Sequence, residues 1–132
     1  MLRVVGKKSG QRYSLDLRAL IGQGVEGKVY RCGRQCVKIL NSPLTGDDSA
    51  RMATLVALGP KLDGFAWPVE IVKDAATGED VGIAMRFVPG ESLEAMLLSR
   101  STGSVPLESK LRVAFRIAGV IAVAHAHSGP RI

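Results

Sequence analysis

Aromatic side chains are scarce in this sequence, at 5% of positions, and that scarcity argues against a nucleic-acid platform in which aromatic faces stack bases between basic residues. Cysteine is nearly absent. Cys32 and Cys36 are the only two, and no histidine or second cysteine pair stands at metal-ligand spacing, so neither a metal site nor a disulfide framework is expected. Reduced thiols filling strand positions suit a cytosolic protein. Long apolar runs are missing as well: the stretch from Ile117 to Ala124 is bracketed by Arg116 and His125 and falls far short of the roughly 20 residues a bilayer needs. The opening residues, Met1 to Lys8, hold no apolar run followed by a small-residue cleavage site, so the cytoplasm is the expected compartment. Acidic residues fall short of basic ones, 12 against 18, for a formal charge of +6. Such a balance suits nucleic acid, acidic lipid or a polyphosphate ligand. The basic residues are scattered along the chain, however, and read as solvated surface with no nucleic-acid or membrane partner.

What is present is enough apolar material, 46% of 132 residues, for one modest core. Arg12 to Leu20 alternates loosely, Lys28 to Cys32 and Cys36 to Leu40 are β-branched or aromatic, and Gly33-Arg34-Gln35 offers a tight turn between the last two. These read as three consecutive strands. A helix begins at Asp47-Asp48-Ser49, repeats Met52, Leu55 and Val56 at helical spacing, and stops at Gly59-Pro60. Val69 to Val72 and Val81 to Val88 read as two more strands, joined by the turn-rich Asp74 to Asp80. The pattern predicts an α+β fold with a five-stranded antiparallel sheet and one inserted helix over residues 1–88. Residues 89–132 begin a helical region: a short helix over Ser92 to Leu98, a polar linker to Pro106, and a long helix. Leu111, Ala114, Phe115, Ala118, Ile121 and Ala122 form a wide apolar stripe on that last helix, which needs a surface to cover it.

Gly22-x-Gly24-x-x-Gly27 is the motif closest to chemistry, and alone it is a weak one. Its flanks narrow the reading. A dinucleotide fingerprint opens a helix, whereas Lys28-Val29-Tyr30-Arg31-Cys32 has strand character and meets a turn too soon for a helix. A glycine loop on a hairpin can fold over a triphosphate, because absent side chains let backbone N–H groups approach phosphate oxygens. Lys38 follows on the neighbouring strand, where alternation puts it on one face with Cys36.

Taken together, Gly22-x-Gly24-x-x-Gly27-x-Val29, then Cys36-Val37-Lys38, then Ala84-Met85-Arg86-Phe87-Val88-Pro89-Gly90-x-Ser92-Leu93 closely resembles the N-terminal lobe of a bacterial serine/threonine protein kinase. Gly24 to Tyr30 with Phe65-Ala66-Trp67-Pro68-Val69 also resembles a bacterial subgroup that often carries a helix-hairpin-helix domain further on. The resemblance implies that Ile21, Val29 and Cys36 roof an adenine, with Cys36 where kinases usually have alanine. It implies that Gly22, Gly24 and Gly27 cover the phosphates and that Lys38 is the catalytic lysine pairing with the α- and β-phosphates. Met85 would be the gatekeeper, and backbone groups of Arg86 and Val88 would meet the adenine edge.

One departure concerns the helix after Lys38, which in the family supplies a glutamate to that lysine. No glutamate lies between Asn41 and Pro60. Asp48 shares a face with Met52, Leu55 and Val56 and could turn toward Lys38; Asp47 or Asp48 as a helix N-cap is the competing reading. The catalytic aspartate and the metal-binding asparagine and aspartate of the family are also missing from this chain, and His125 and His127 read as helix-end residues. The resemblance therefore implies the ATP-binding part of a kinase cut before the catalytic loop and inactive alone. ATP is the expected ligand, with magnesium and a protein substrate belonging to a full-length parent. Self-association through the last helix is expected too. A nonenzymatic nucleotide- or protein-binding module, akin to a pseudokinase, is the alternative.

Overall fold

The computed structural model describes residues 1–59, 66–90 and 106–128. Two compact units divide the chain, Met1–Phe87 and Val88–Ile132. The described residues form an α+β protein with seven antiparallel strands and two α-helices.

The sheet is larger than the five strands expected from sequence. Leu2–Gly6 (β1) pairs with Arg12–Leu15 (β2) as an N-terminal hairpin. Leu2 and Val4 do alternate with polar Arg3, but so brief a pattern beside Lys7-Lys8 was too short to register as a strand. The expected strand over Arg12 to Leu20 is in fact two. Asp16 breaks it by accepting a hydrogen bond from the Arg18 amide at 2.6 Å, which starts a single 3-10 turn at Leu17–Ala19. A short aspartate side chain competing for local backbone N–H groups is a common way to end a strand. The chain re-enters the sheet as Leu20–Gln23 (β3), followed by Gly27–Cys32 (β4) and Gln35–Leu40 (β5). Gly33 turns the β4–β5 hairpin at φ 63°, a left-handed backbone that favours glycine. Helix α1 (Gly46–Leu58) is inserted next, and Pro68–Asp74 (β6) and Asp80–Arg86 (β7) complete the sheet.

Strand order is β2-β1-β6-β7-β5-β4-β3. One face carries the core: Val4, Tyr13 and Leu15 from the N-terminal hairpin meet Tyr30, Val37, Val72 and Ala84 from the central strands. Alternation explains the membership, since Tyr30, Val37 and Ala84 lie opposite one another across β4, β5 and β7 and so share a side of the sheet. The sheet curls until Tyr13 on β2 donates to Gln35 Oε1 on β5 at 2.5 Å, although those strands are far apart in the pairing order. Burial and the nearby Glu70 charge push the Tyr13 phenol above its ordinary pKa.

A buried carboxylate anchors the added hairpin. Glu70 on β6 accepts from the amides of Lys8 at 3.0 Å and Ser9 at 2.9 Å, and from the Ser9 hydroxyl at 2.7 Å. Gly6 makes room for it, because a Cβ there would collide with the carboxylate.

Helix α1 rests on the opposite face from the core, against β6. Thr45 caps it, and Trp67 donates its indole N–H to the Leu55 carbonyl at 2.7 Å, holding the last turn. Ser49, Met52 and Val56 are its half-buried side chains, whereas Leu55 is exposed; the sheet-facing stripe is thus narrower than the sequence pattern suggests. In the second unit, Leu107–Ser128 (α2) carries Leu111, Phe115, Ile117 and Ile121 exposed. The helix expected over Ser92 to Leu98, and the residues Pro60 and Phe65, lie outside the described residues. No described helix is long and apolar enough to cross a membrane.

Candidate functional site

The glycine motif spans a strand, a turn and a strand, and it opens no helix. Gly22 and Gln23 end β3, Gly24 to Glu26 make the turn, and Gly27 begins β4. The Gly24 amide closes the turn on the Gly27 carbonyl at 2.9 Å. A bulge between Leu20 and Gly22 leaves Ile21 as the extra residue of β3, and its side chain is exposed.

The three glycines do different things. A Cβ on Gly27 would run into the Ile39 carbonyl of β5, and a Cβ on Gly82 of β7 would strike the Lys38 carbonyl from the other side. Both are demanded by close backbone approach. A Cβ on Gly22 or Gly24 would meet nothing within 4 Å. These two leave open space above the sheet, which packing alone does not require.

Lys38 sits in the middle of β5. Its direct neighbours are Val29 on β4 and Ile83 on β7, and Ile83 in turn faces Ile71 on β6. Opposed residues of antiparallel strands point the same way, so Val29, Lys38, Ile83 and Ile71 form one row. Two positions along, Arg31, Cys36 and Met85 form the next row on that same face. The structure therefore brings Val29, Cys36, Lys38 and Met85 together on the side of the sheet away from the core.

The Lys38 ammonium reaches along this face to the glycine turn and donates to Glu26 Oε2 at 2.7 Å. Its side chain is 28% exposed and that of Glu26 is 77% exposed. The hydrogen bond from Lys38, reinforced by its charge, holds the Glu26 carboxyl below the usual glutamate range. Asn41, just past β5, braces the same turn: its amide donates to the Glu26 carbonyl at 2.9 Å and its side chain to the Val25 carbonyl at 2.6 Å.

Asp48 is not placed on the lysine. Thr45 Oγ1 accepts from the Asp48 amide at 3.3 Å, as an N-cap does, and donates to Asp48 Oδ2 at 2.8 Å. The cap is therefore Thr45, and neither Asp47 nor Asp48 fills that role. The physical reason is local: a carboxylate at the third helical position is within reach of the cap hydroxyl one turn back, whereas Lys38 has a nearer partner in Glu26.

Both cysteines are free. Burial raises the Cys36 thiol, opposed by the Arg31 charge, and burial with the neighbouring Cys36 raises Cys32, so neither is an activated nucleophile at neutral pH. Register sets Cys36 opposite Arg31 and Cys32 opposite Gln35, so the two side chains leave opposite faces of the hairpin. Arg31 lies over the Phe87 ring at 4.1 Å, and the Phe87 amide donates to the Arg34 carbonyl at 2.9 Å; together they tie the end of β7 to the β4–β5 turn. Arg86 is exposed at the end of β7, and Val88 belongs to the second unit.

Glu26, Asn41 and Glu70 escaped the sequence reading. For the first two a signal existed: a two-residue turn at Gly33-Arg34 sets Cys32 against Gln35, which puts Val29 opposite Lys38 and Asn41 opposite Glu26 by counting back along the hairpin. Glu70 left none, because its partners lie more than sixty residues away. Comparison with family models, with curated proteins and with solved structures found no match.

Proposed function

We propose that this chain is the nucleotide-binding part of a serine/threonine protein kinase, and that ATP lies on the sheet face that carries Lys38. The observation that supports it is one juxtaposition: a glycine turn on the β3–β4 hairpin reaching over a lysine on the adjoining strand β5, with their side chains in contact at 2.7 Å. Strand alternation and a helix inserted between β5 and β6 agree with the kinase N-lobe order of a glycine-rich loop followed by its lysine strand.

The residues present suit an ATP tail. Gly22 and Gly24 have free space where other residues would carry a Cβ, so a phosphate tail can come close to the backbone of the turn, whose Gly24 amide is itself closed on the Gly27 carbonyl. Lys38 offers the positive charge, while half-buried Val29 and Met85, on either side of buried Cys36, supply an apolar surface beside it for the base. ATP would bring the transferable phosphoryl group; the chain's own residues bind and orient it. Magnesium and the protein Ser/Thr substrate would engage groups that a full-length parent supplies.

A titration of the chain with ATP and magnesium, followed by calorimetry, tests the reading. Lys38→Met is expected to weaken ATP binding at least tenfold in the chain and to abolish phosphoryl transfer in a full-length parent. Equal affinity in both forms would remove Lys38 from the site and the kinase reading with it. A nonenzymatic nucleotide-binding module is the second reading. It is favoured by one observation, that Asp48 of α1 is engaged in the helix cap while Lys38 is paired from the loop. Normal ATP binding with no transfer by a full-length parent would select it.

A further inference from the structure

Glu26 stands between the glycine turn and the lysine, and its position bears on when that site can accept a ligand. Its carboxylate touches the Lys38 ammonium at 2.7 Å. The backbone on either side is braced, since Asn41 holds both the Val25 and the Glu26 carbonyls and the Gly24 amide is closed on Gly27. The turn therefore presents this carboxylate to Lys38 from a fixed base. A phosphate oxygen entering under the glycine turn would meet the same ammonium from the side that this carboxylate holds; the ammonium has three N–H donors, so the competition is one of charge, two anions brought close together.

We propose that Glu26 is a built-in competitor for the phosphate-binding lysine, a latch that the braced glycine turn lays on Lys38 and that an incoming polyphosphate tail displaces. The proposal rests on the nucleotide reading above and adds a regulatory residue to it. The wide exposure of Glu26, 77%, sets both the ease and the size of the effect. An exposed pair is weak enough to be broken by an incoming triphosphate, and removing it changes affinity by a modest factor. Val25 and Glu26 face solvent, so the side chain has room to leave without disturbing the core. Asp48 of α1 is bonded to Thr45 and does not compete for Lys38.

The experiment compares the wild-type chain with Glu26→Gln, which keeps the shape and removes the charge, using ATP with magnesium and, in parallel, adenosine, which has no phosphate. The expected result is ATP affinity raised about two- to fivefold in Glu26→Gln, with adenosine affinity unchanged. ATP binding seen only in Glu26→Gln would support the latch equally. Weaker ATP binding by Glu26→Gln would overturn it, since Glu26 would then be holding Lys38 in place for the ligand. Equal shifts for ATP and adenosine would also overturn it, because the effect would not concern phosphate. Lys38→Met separates the two failures. If the wild type binds ATP in a Lys38-dependent way and Glu26→Gln binds no better, the latch alone is wrong; if neither form binds ATP, the nucleotide reading falls and the latch with it.

Discussion

Single residues in the glycine turn divide into those that the sheet needs and those that it does not. Gly27 and Gly82 lie flush against the β5 backbone, where any Cβ would meet a carbonyl oxygen. Gly22 and Gly24 border empty space. Substitution by alanine should therefore separate folding from binding. Gly27→Ala is expected to destabilise the chain by about 1–3 kcal/mol, the range for forcing a group into a filled site, whereas Gly24→Ala should stay within about 0.5 kcal/mol of the wild type, as surface changes do. Urea denaturation measures both. Gly24→Ala should nevertheless weaken ATP binding, because a methyl group would stand where a phosphate oxygen approaches the turn. Comparable losses of stability in the two variants would mean that the loop glycines are all structural.

Elements are where sequence pattern and fold part company most clearly. The β4–β5 hairpin was legible because a tight turn and two β-branched runs lie next to one another, so local rules set its register. The N-terminal hairpin was not, because β1 has few residues to display a period and its stability comes from Glu70 and from Val4, Tyr13 and Leu15 in the core. Helix α1 shows the same division. Its existence followed from spacing, yet its first residue depended on a reciprocal bond between Thr45 and Asp48. Thr45→Ala should cost about 1 kcal/mol, read as a lower unfolding midpoint, while Asp47→Ala should cost much less. A larger loss at Asp47 would show that the cap lies elsewhere.

At the scale of the whole molecule, the two units differ in how their apolar residues are placed. The first unit encloses its core within a curled sheet. In the second, α2 leaves Leu111 61% and Phe115 80% exposed, and exposed apolar surface of this kind favours association. We expect the chain to self-associate with rising concentration in sedimentation velocity, and the double change Phe115→Glu with Ile121→Glu to return it toward the 14.0 kDa monomer. An unaltered distribution in that variant would place the contact elsewhere. ATP affinity should not change with it, since the residues proposed to hold the phosphates are in the first unit.

By itself the amino-acid order determined what depends on near neighbours. It set a glycine turn between two strands, a lysine on the following strand sharing a face with Cys36, and a helix after it, because period-two alternation and glycine placement act over a few residues. Tertiary structure alone decided the rest. The added strand β1 exists because it found an edge on β6 and a buried carboxylate to hold its turn. Lys38 took its partner from the loop because the curled hairpin carries Glu26 within 2.7 Å of it, while the helix that could have offered Asp48 had already engaged that side chain in its own first turn.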